Sequence, residues 1–235
     1  MKLSTIAKTS LALGILTTGV ITTNAQSVDA VSTLNKSVQS KTYTSNELFD
    51  YYNKPYWDLR NVSGYKDGDK VEVVDSLQLT NVSLLGTDKS KFNDGNIPNI
   101  DVFVVKENGD RDTVNESIGG ITQTNKENYS DYVTNPPITL TESNGNVTTS
   151  DYLGRHRIDK KEVSLKELDF KLRKHLIDNH GLYSKGKNKG DIIVKMKGDN
   201  PDHKYTFELD KKLQDHRMGD VIDATQIDRI DIEFK

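Results

Sequence analysis

The segment KKEVSLKELDFKLRKHLIDNHGLY, Lys160 to Tyr183, is punctuated at both ends. Ser164, three residues before Glu167, has the spacing of a capping box: the hydroxyl accepts the Glu167 N–H and the carboxylate reaches back to the Ser164 N–H. Val163 and Leu168 are spaced for a hydrophobic staple. Gly181 stands where a left-handed C′ residue ends a helix, and Leu182 can close back on the last turn. Leu165, Leu168, Leu172 and Leu176 form one apolar stripe at helical spacing. Phe170 and Ile177 lie on the other side, with charged residues between. A helix apolar on two sides packs between two layers, so Ser164 to His180 is predicted to be a central helix.

Downstream of it, three segments alternate with strand periodicity: Ile192, Val194 and Met196; Tyr205, Phe207 and Leu209; Ile230, Ile232 and Phe234. Gly198-Asp199-Asn200-Pro201 is a turn between the first two. Two strands are expected upstream, near Ile138 to Thr141 and Tyr152 to Ile158. Strands around one long helix make an α+β unit. Asn135-Pro136-Pro137 marks its boundary, because consecutive prolines suit neither helix nor strand interior. Before the prolines, Asn46 to Tyr52 reads as a short helix stopped ahead of Pro55. Short β-rich runs follow at Val71 to Leu79, Val82 to Leu85 and Val102 to Val105, punctuated by glycines. They suit a small barrel, which periodicity alone does not distinguish from a sandwich.

The first thirty residues read as a secretory signal peptide. Lys2 and Lys8 supply the basic region, Leu11 to Ile21 the short apolar run, and Val28-Asp29-Ala30 a small-residue cut, with Thr23-Asn24-Ala25 a second one. Val31 to Tyr43 is a polar stretch expected to form a flexible leader. The 235 residues contain no cysteine, so stability in an oxidising compartment rests on the cores. A net charge of −3 supplies no global drive toward nucleic acid or anionic lipid.

The arrangement Lys160, Val163, Leu168-Asp169, Arg173, Leu176 and Leu182-Tyr183 resembles the second signature of the staphylococcal and streptococcal superantigen toxins. SLKELDFKLR resembles the staphylococcal superantigen-like proteins in particular. LLGTDKSKF (Leu84 to Phe92), IDVFVVKE (Ile100 to Glu107), GGIT (Gly119 to Thr122) and RMGDVID (Arg217 to Asp223) agree, so the resemblance covers most of the chain after about Ser45. Superantigens carry a Tyr before the glycine pair where this chain has Ile118, a departure confined to the first signature. The resemblance implies an N-terminal OB-fold barrel over 44–135 and a C-terminal β-grasp domain over 136–235, after a signal peptide at 1–30 and a leader at 31–43. It also implies a secreted, non-catalytic protein that blocks a host immune component, without membrane insertion and with scope for a weak homodimer. The competing class is a true superantigen bridging T-cell receptor and MHC class II. Against it stand the missing cysteine pair of the enterotoxin-type loop and the missing histidine in the C-terminal DRIDIEFK.

Catalytic and metal patterns are weak. No GxSxG elbow occurs, and His175 and His180, five apart on a helix, are turned about 140° from each other, so neither metal nor cofactor is expected. Tyr51, Tyr52, Tyr56 and Trp57 have little basic company for base stacking and read as packing residues, so nucleic acid is not an expected partner. Turn chemistry selects the docking candidates. On the barrel side they are Tyr65, Lys66, Asp67 and Asp69, with Asn93, Asp94, Asn96 and Asn99. On the β-grasp side they are Lys185, Lys187 and Lys189, with Asp199, Asn200 and Asp202. In sialyl-glycan-binding relatives a Thr follows the Leu-Gln pair. Here Asp215 stands there beside Arg217, which argues against a sialylated glycan.

Overall fold

A computed structural model of the chain describes residues 41–109, 111–145, 147–184 and 186–235. The expected signal peptide, residues 31–40 of the expected leader, and Lys185 lie outside the described residues. Helix α1 (Ser45–Tyr52) opens on a complete capping box between Thr44 and Glu47. Strands β1 (Tyr56–Asp67), β2 (Lys70–Asp75), β3 (Gln78–Ser83), β4 (Gly95–Val105), β5 (Asn115–Ile118) and β6 (Ile121–Gln123) form one sheet in the order β5-β3-β2-β1-β4-β6. The sheet curls on itself. Glu107 N–H donates to the Glu116 carbonyl at 2.8 Å and Phe103 N–H to the Gly120 carbonyl at 3.0 Å, joining β4 to the β5 end. This closed barrel is the expected OB fold, and Val71, Val73, Val82, Leu84, Ile100, Val102 and Val104 fill it.

The second half contains β7 (Pro137–Asn144), β8 (Val147–Arg155), β9 (Glu162–Ser164), the central helix α2 (Leu165–His180), β10 (Gly190–Met196), β11 (Lys204–Glu208), β12 (Val221–Asp223) and β13 (Ile227–Phe234). Five of these strands make a mixed sheet ordered β11-β10-β13-β7-β8, in which β13 and β7 run parallel. With α2 packed against it, this is the β-grasp architecture. Leu165, Leu168, Leu172 and Leu176 are at most 1% exposed, and Phe170 on the other side is equally buried. Leu48 and Tyr52 of α1, and Phe103 and Val105 of β4, belong to the same core as α2, so the helix is packed from both sides.

Three local expectations change. Val71 to Leu79 is not one strand but a hairpin, turning at Ser76 (φ 47°) and Leu77 (φ 72°) with neither Gly nor Asn in the turn. Strand β8 begins at Val147, five residues before the expected Tyr152. At α2 the Ser164 hydroxyl does accept the Glu167 N–H at 3.1 Å, but the Glu167 carboxylate does not return to it. Lys160 Nζ at 2.8 Å and Lys171 Nζ at 2.6 Å take that carboxylate instead. At the other end Gly181 is left-handed (φ 70°) and Leu182 N–H donates to the Leu176 carbonyl, as the spacing requires.

Candidate functional site

The charges between the two apolar sides of α2 are themselves buried. Arg173 Nε is 2.6 Å from Asp169 Oδ1, and both side chains are 1% exposed. Tyr52 donates to the other Asp169 oxygen, Arg173 donates to Tyr183 Oη, and its remaining N–H groups reach the Leu209 and Glu208 carbonyls. Burial opposes the guanidinium charge, but Asp169 beside it more than offsets this and keeps Arg173 charged. Burial likewise pushes the Tyr183 hydroxyl up to about 12. With nearly every donor and acceptor paired, this network positions the β11 end and Leu213, whose N–H donates to Tyr52 Oη at 3.1 Å.

That end of β11 borders a surface depression of about 1180 Å³, which reaches across to the barrel at Gly86 and Thr87. Phe207, Val221 and Ile222 provide apolar lining, while Lys204, Lys211, Gln214 and Arg217 provide donors. Arg217 lies over the Phe207 ring and points its guanidinium at the Thr206 carbonyl, on the unpaired edge of β11. The acids Asp191, Asp202 and Asp220 share the lining, so the surface is mixed in sign. Asp215, the acidic replacement, is exposed in the same short 3-10 turn as Arg217, its Oδ1 3.8 Å from Lys212 Nζ. Such a surface can recognise a ligand through hydrogen bonds and apolar contact.

The barrel-side candidates are brought together by pairing of β1 with β4, which sets Tyr65 opposite Asn96 and Lys66 opposite Gly95. Tyr65 is 58% exposed. Asp67 and Asp69 flank the β1–β2 turn at Gly68, where Asp69 pairs with Lys89 at 2.7 Å. Lys66 is a correction: it is buried, because its ammonium turns to Asp94 and so leaves the loop surface. Asn96 and Asn99 are also not loop residues but exposed positions within β4, Asn99 in the left-handed region where the ladder shifts register. Asn93 and Asp94 alone form the turn.

The β-grasp candidates are not brought together. Lys187 and Lys189 precede β10, whereas Asp199, Asn200 and Asp202 follow it, about 23 Å along a seven-residue strand. Lys187 is held by Glu142 at 2.7 Å and lies over the Phe234 ring; Lys189 is exposed. Asp199, Asn200 and Asp202 are exposed, and Asn200 Oδ1 accepts the Asp202 N–H in a tight turn.

The sequence reading also misplaced Trp57. Tyr52 is buried and Tyr51 and Tyr56 pack on Phe170, but Trp57 is 41% exposed and lines the barrel mouth, a cavity of about 680 Å³ with Leu59, Gln78, Val104 and Asn115. Beside it Leu77 is fully exposed. Burial does not alternate over Tyr56 to Leu59, so no local pattern separates Trp57 from its neighbours. His175 and His180 approach to 5.5 Å between ring centres despite their spacing, because His180 ends the helix. Among the described residues no helix is long and apolar enough to cross a membrane.

Comparison with known proteins agrees with both halves. A family model described as the staphylococcal superantigen-like OB-fold domain matches residues 46–125, and one described as the staphylococcal/streptococcal toxin β-grasp domain matches 136–234. Superantigen-like protein 11 of Staphylococcus aureus (strain Newman) is 49% identical over 234 residues, covering 100% of both chains. Among solved structures, the staphylococcal superantigen-like protein SSL5 complexed with sialyl Lewis X is 38% identical with a TM-score of 0.73, covering 81% of this chain and 100% of that one. A superantigen-like protein from Staphylococcus aureus in complex with 3-N-acetylneuraminyl-N-acetyllactosamine is 36% identical with a TM-score of 0.72, covering 82% and 99%.

Proposed function

The chain belongs to the staphylococcal superantigen-like family, whose members are binding proteins and not enzymes, and on that premise we propose that it is a secreted immune-evasion protein which docks onto a host immune protein and blocks it without activating T cells. The observation that carries this reading is full-length relationship to a superantigen-like protein across both domains. Export proceeds by cleavage after Ala30, which N-terminal sequencing of protein from culture medium tests; an intact Met1 on exported protein overturns it. The domain limits 44–135 and 136–235 predict that limited proteolysis cuts first between them, near Asn135. For the function itself, the protein is expected to bind a defined component of plasma or neutrophil lysate and to leave T cells with antigen-presenting cells unstimulated. Vβ-selective proliferation at trace doses would make it a true superantigen.

A second reading, sialyl-glycan binding, is favoured by the two sialoglycan complexes among its structural relatives. The argument against it needs the Asp215 carboxylate to meet the carboxylate of sialic acid unpaired. Here Asp215 is exposed and near Lys212, which weakens that repulsion. A sialyl-Lewis-type glycan array separates the readings. Binding abolished by Arg217→Ala establishes glycan recognition at the depression, and absence of binding leaves protein docking alone.

A further inference from the structure

The interior of the barrel changes character toward its mouth. Residues directly opposite each other across a ladder share a face. Trp57 is opposite Val104 and Leu59 opposite Val102, so both lie on the inward face of β1. Thr80 is opposite Val73 and Asn115 opposite Thr80, so a hydroxyl and an amide stand in one interior layer. Deeper in, the filling is valine, leucine and isoleucine. On the other side the layer opens into the cavity of about 680 Å³ that Trp57 lines. Thr80 is 2% and Asn115 7% exposed, yet neither side chain hydrogen-bonds to any of the described residues. Both line the cavity, where their polar atoms remain reachable. Buried polar groups are ordinarily paired. Valine and leucine, of nearly the same shape, would fill these two places without leaving a donor or acceptor unmet.

We propose that the barrel mouth binds one uncharged pyranose residue of a glycan, its C–H face against Trp57 and its hydroxyls on Asn115 and Thr80. The amide supplies a donor and an acceptor, and the Thr80 hydroxyl supplies both in one atom, as sugar hydroxyls require. Gln78 donates its Nε2 to the Thr113 carbonyl at 2.7 Å and keeps Oε1 as a further acceptor. A purely apolar occupant, such as a Leu or Phe side chain of a partner, would seal the amide and the hydroxyl without partners. A charged occupant gains nothing on balance. Lys54 and Lys106 are matched in the lining by Asp75 and Asp112, and the two ammonium groups already donate to the Lys106 and Asp112 carbonyls at 2.8 Å. The same balance disfavours nucleic acid, which needs a basic groove beside its stacking ring. The volume lies within the range of about 300–1,000 Å³ usual for small-ligand sites. The cavity shares no lining residue with the depression on the β-grasp side, so this site is independent of the sialyl-glycan reading.

Trp57 is the single tryptophan of the chain, so intrinsic fluorescence reports on the mouth alone. Titration with methyl β-galactoside, N-acetylglucosamine and N-acetyllactosamine is expected to shift Trp57 emission to shorter wavelength. For at least one of them it should saturate with a dissociation constant on the order of 1 mM, as suits a ligand of few atoms. Thr80→Val and Asn115→Leu should each weaken that binding by roughly tenfold or more. Neither should lower the urea midpoint, because neither removes a hydrogen bond. Polar groups with a merely structural role would behave the other way, losing stability when replaced. Leu77→Ser, at the fully exposed turn beside the cavity, and Arg217→Ala, in the depression, should leave the titration unchanged. Emission indifferent to all three sugars up to about 50 mM overturns the proposal. So does binding that survives both Thr80→Val and Asn115→Leu, binding that Arg217→Ala abolishes, or a urea midpoint that falls in both mouth variants. A response to adenosine monophosphate or to a phenylalanine amide, with none to the sugars, also overturns it and assigns the mouth to a base or a protein side chain.

Discussion

Replacing Lys166 with Met is expected to flatten the dependence of folding stability on pH above neutrality. Lys166 is 2% exposed in the first turn of α2, and its Nζ donates across the domain boundary to Ser117 Oγ and to the Ile118 carbonyl, both at 2.8 Å. Two acceptors satisfy a neutral amine and leave over the third N–H of an ammonium. Burial is the largest influence and lowers the pKa; Glu107 and Asp215 oppose it, Lys212 assists it, and the result is about 7 against an ordinary 10.5. A fall of that size disfavours the folded, charged form by about 5 kcal/mol. For a lysine whose folded pKa is depressed, the cost is fully present below the folded pKa and disappears as pH rises toward the unfolded one. The unfolded state binds more protons across this window, so stability rises with pH. Between pH 7 and pH 9 the wild type should gain about 2 kcal/mol from this group that Lys166→Met cannot gain. Loss of the two hydrogen bonds moves the variant's whole curve by roughly 1–3 kcal/mol without changing its slope. Buried Tyr52 and Tyr183, whose hydroxyls burial pushes up, titrate alike in both proteins and cancel. Urea unfolding at the two pH values measures the difference. Slopes that agree within about 0.5 kcal/mol would show that Lys166 is not desolvated in the folded protein.

Three further outcomes follow from the packing. Leu168→Ala and Leu172→Ala, each removing a side chain at most 1% exposed, should cost roughly 2–5 kcal/mol in urea unfolding; losses under about half a kcal/mol at both sites would mean the stripe faces solvent. Asp169→Asn leaves Arg173 charged, buried and without its carboxylate, and should cost about 3–5 kcal/mol in the same measurement, more than the exposed control Asp228→Asn. Gly119→Ala meets both a left-handed backbone (φ 54°) and the Met218 carbonyl carbon 2.5 Å from the added Cβ. It should cost roughly 1–3 kcal/mol and speed limited proteolysis between the domains, which an unchanged cleavage rate would refute.

The parts of the fold that were legible are those decided locally. Ser164 and Gly181 bracket α2 because a hydroxyl and a glycine at those offsets satisfy the helix's own end groups, whatever surrounds them. The apolar stripes of β10, β11 and β13 were legible for the same reason. What failed was decided by distant partners. Glu167 has the spacing of a capping box, yet Lys160 and Lys171 hold its carboxylate. The Ser76-Leu77 turn carries neither Gly nor Asn, yet pairing of β2 with β3 imposes positive φ on side chains that locally disfavour it. In the sequence Lys166, Asp169 and Arg173 are simply charged residues between two apolar sides, with no local sign of burial. They are buried because α1 brings a donor to Asp169 from Tyr52, while β5 and the β11 end bring acceptors to Lys166 and Arg173 from residues 117, 118 and 208–209.

The same division explains why docking surfaces resist reading from turn chemistry. A polar turn residue leaves the surface when a counter-charge draws it inward, and at Lys66 one does, since Asp94 arrives from the turn just before the strand that pairs opposite. Conversely, VTTSDY in β8 contains no Gly, Pro or Asn and no pronounced apolar alternation, so it attracts no attention as a surface. Its exposure comes from sheet order: β8 lies outermost, beyond β7, and an edge is a property of the whole topology and not of any nine residues. Trp57 follows the same logic, left exposed at a cavity that β1 lines together with residues of β3, β4 and β5. A scaffold whose core pattern is local and whose exposed edges are global can keep the first while changing the second. Side chains at strand edges and mouths can therefore change without disturbing α2 or either core.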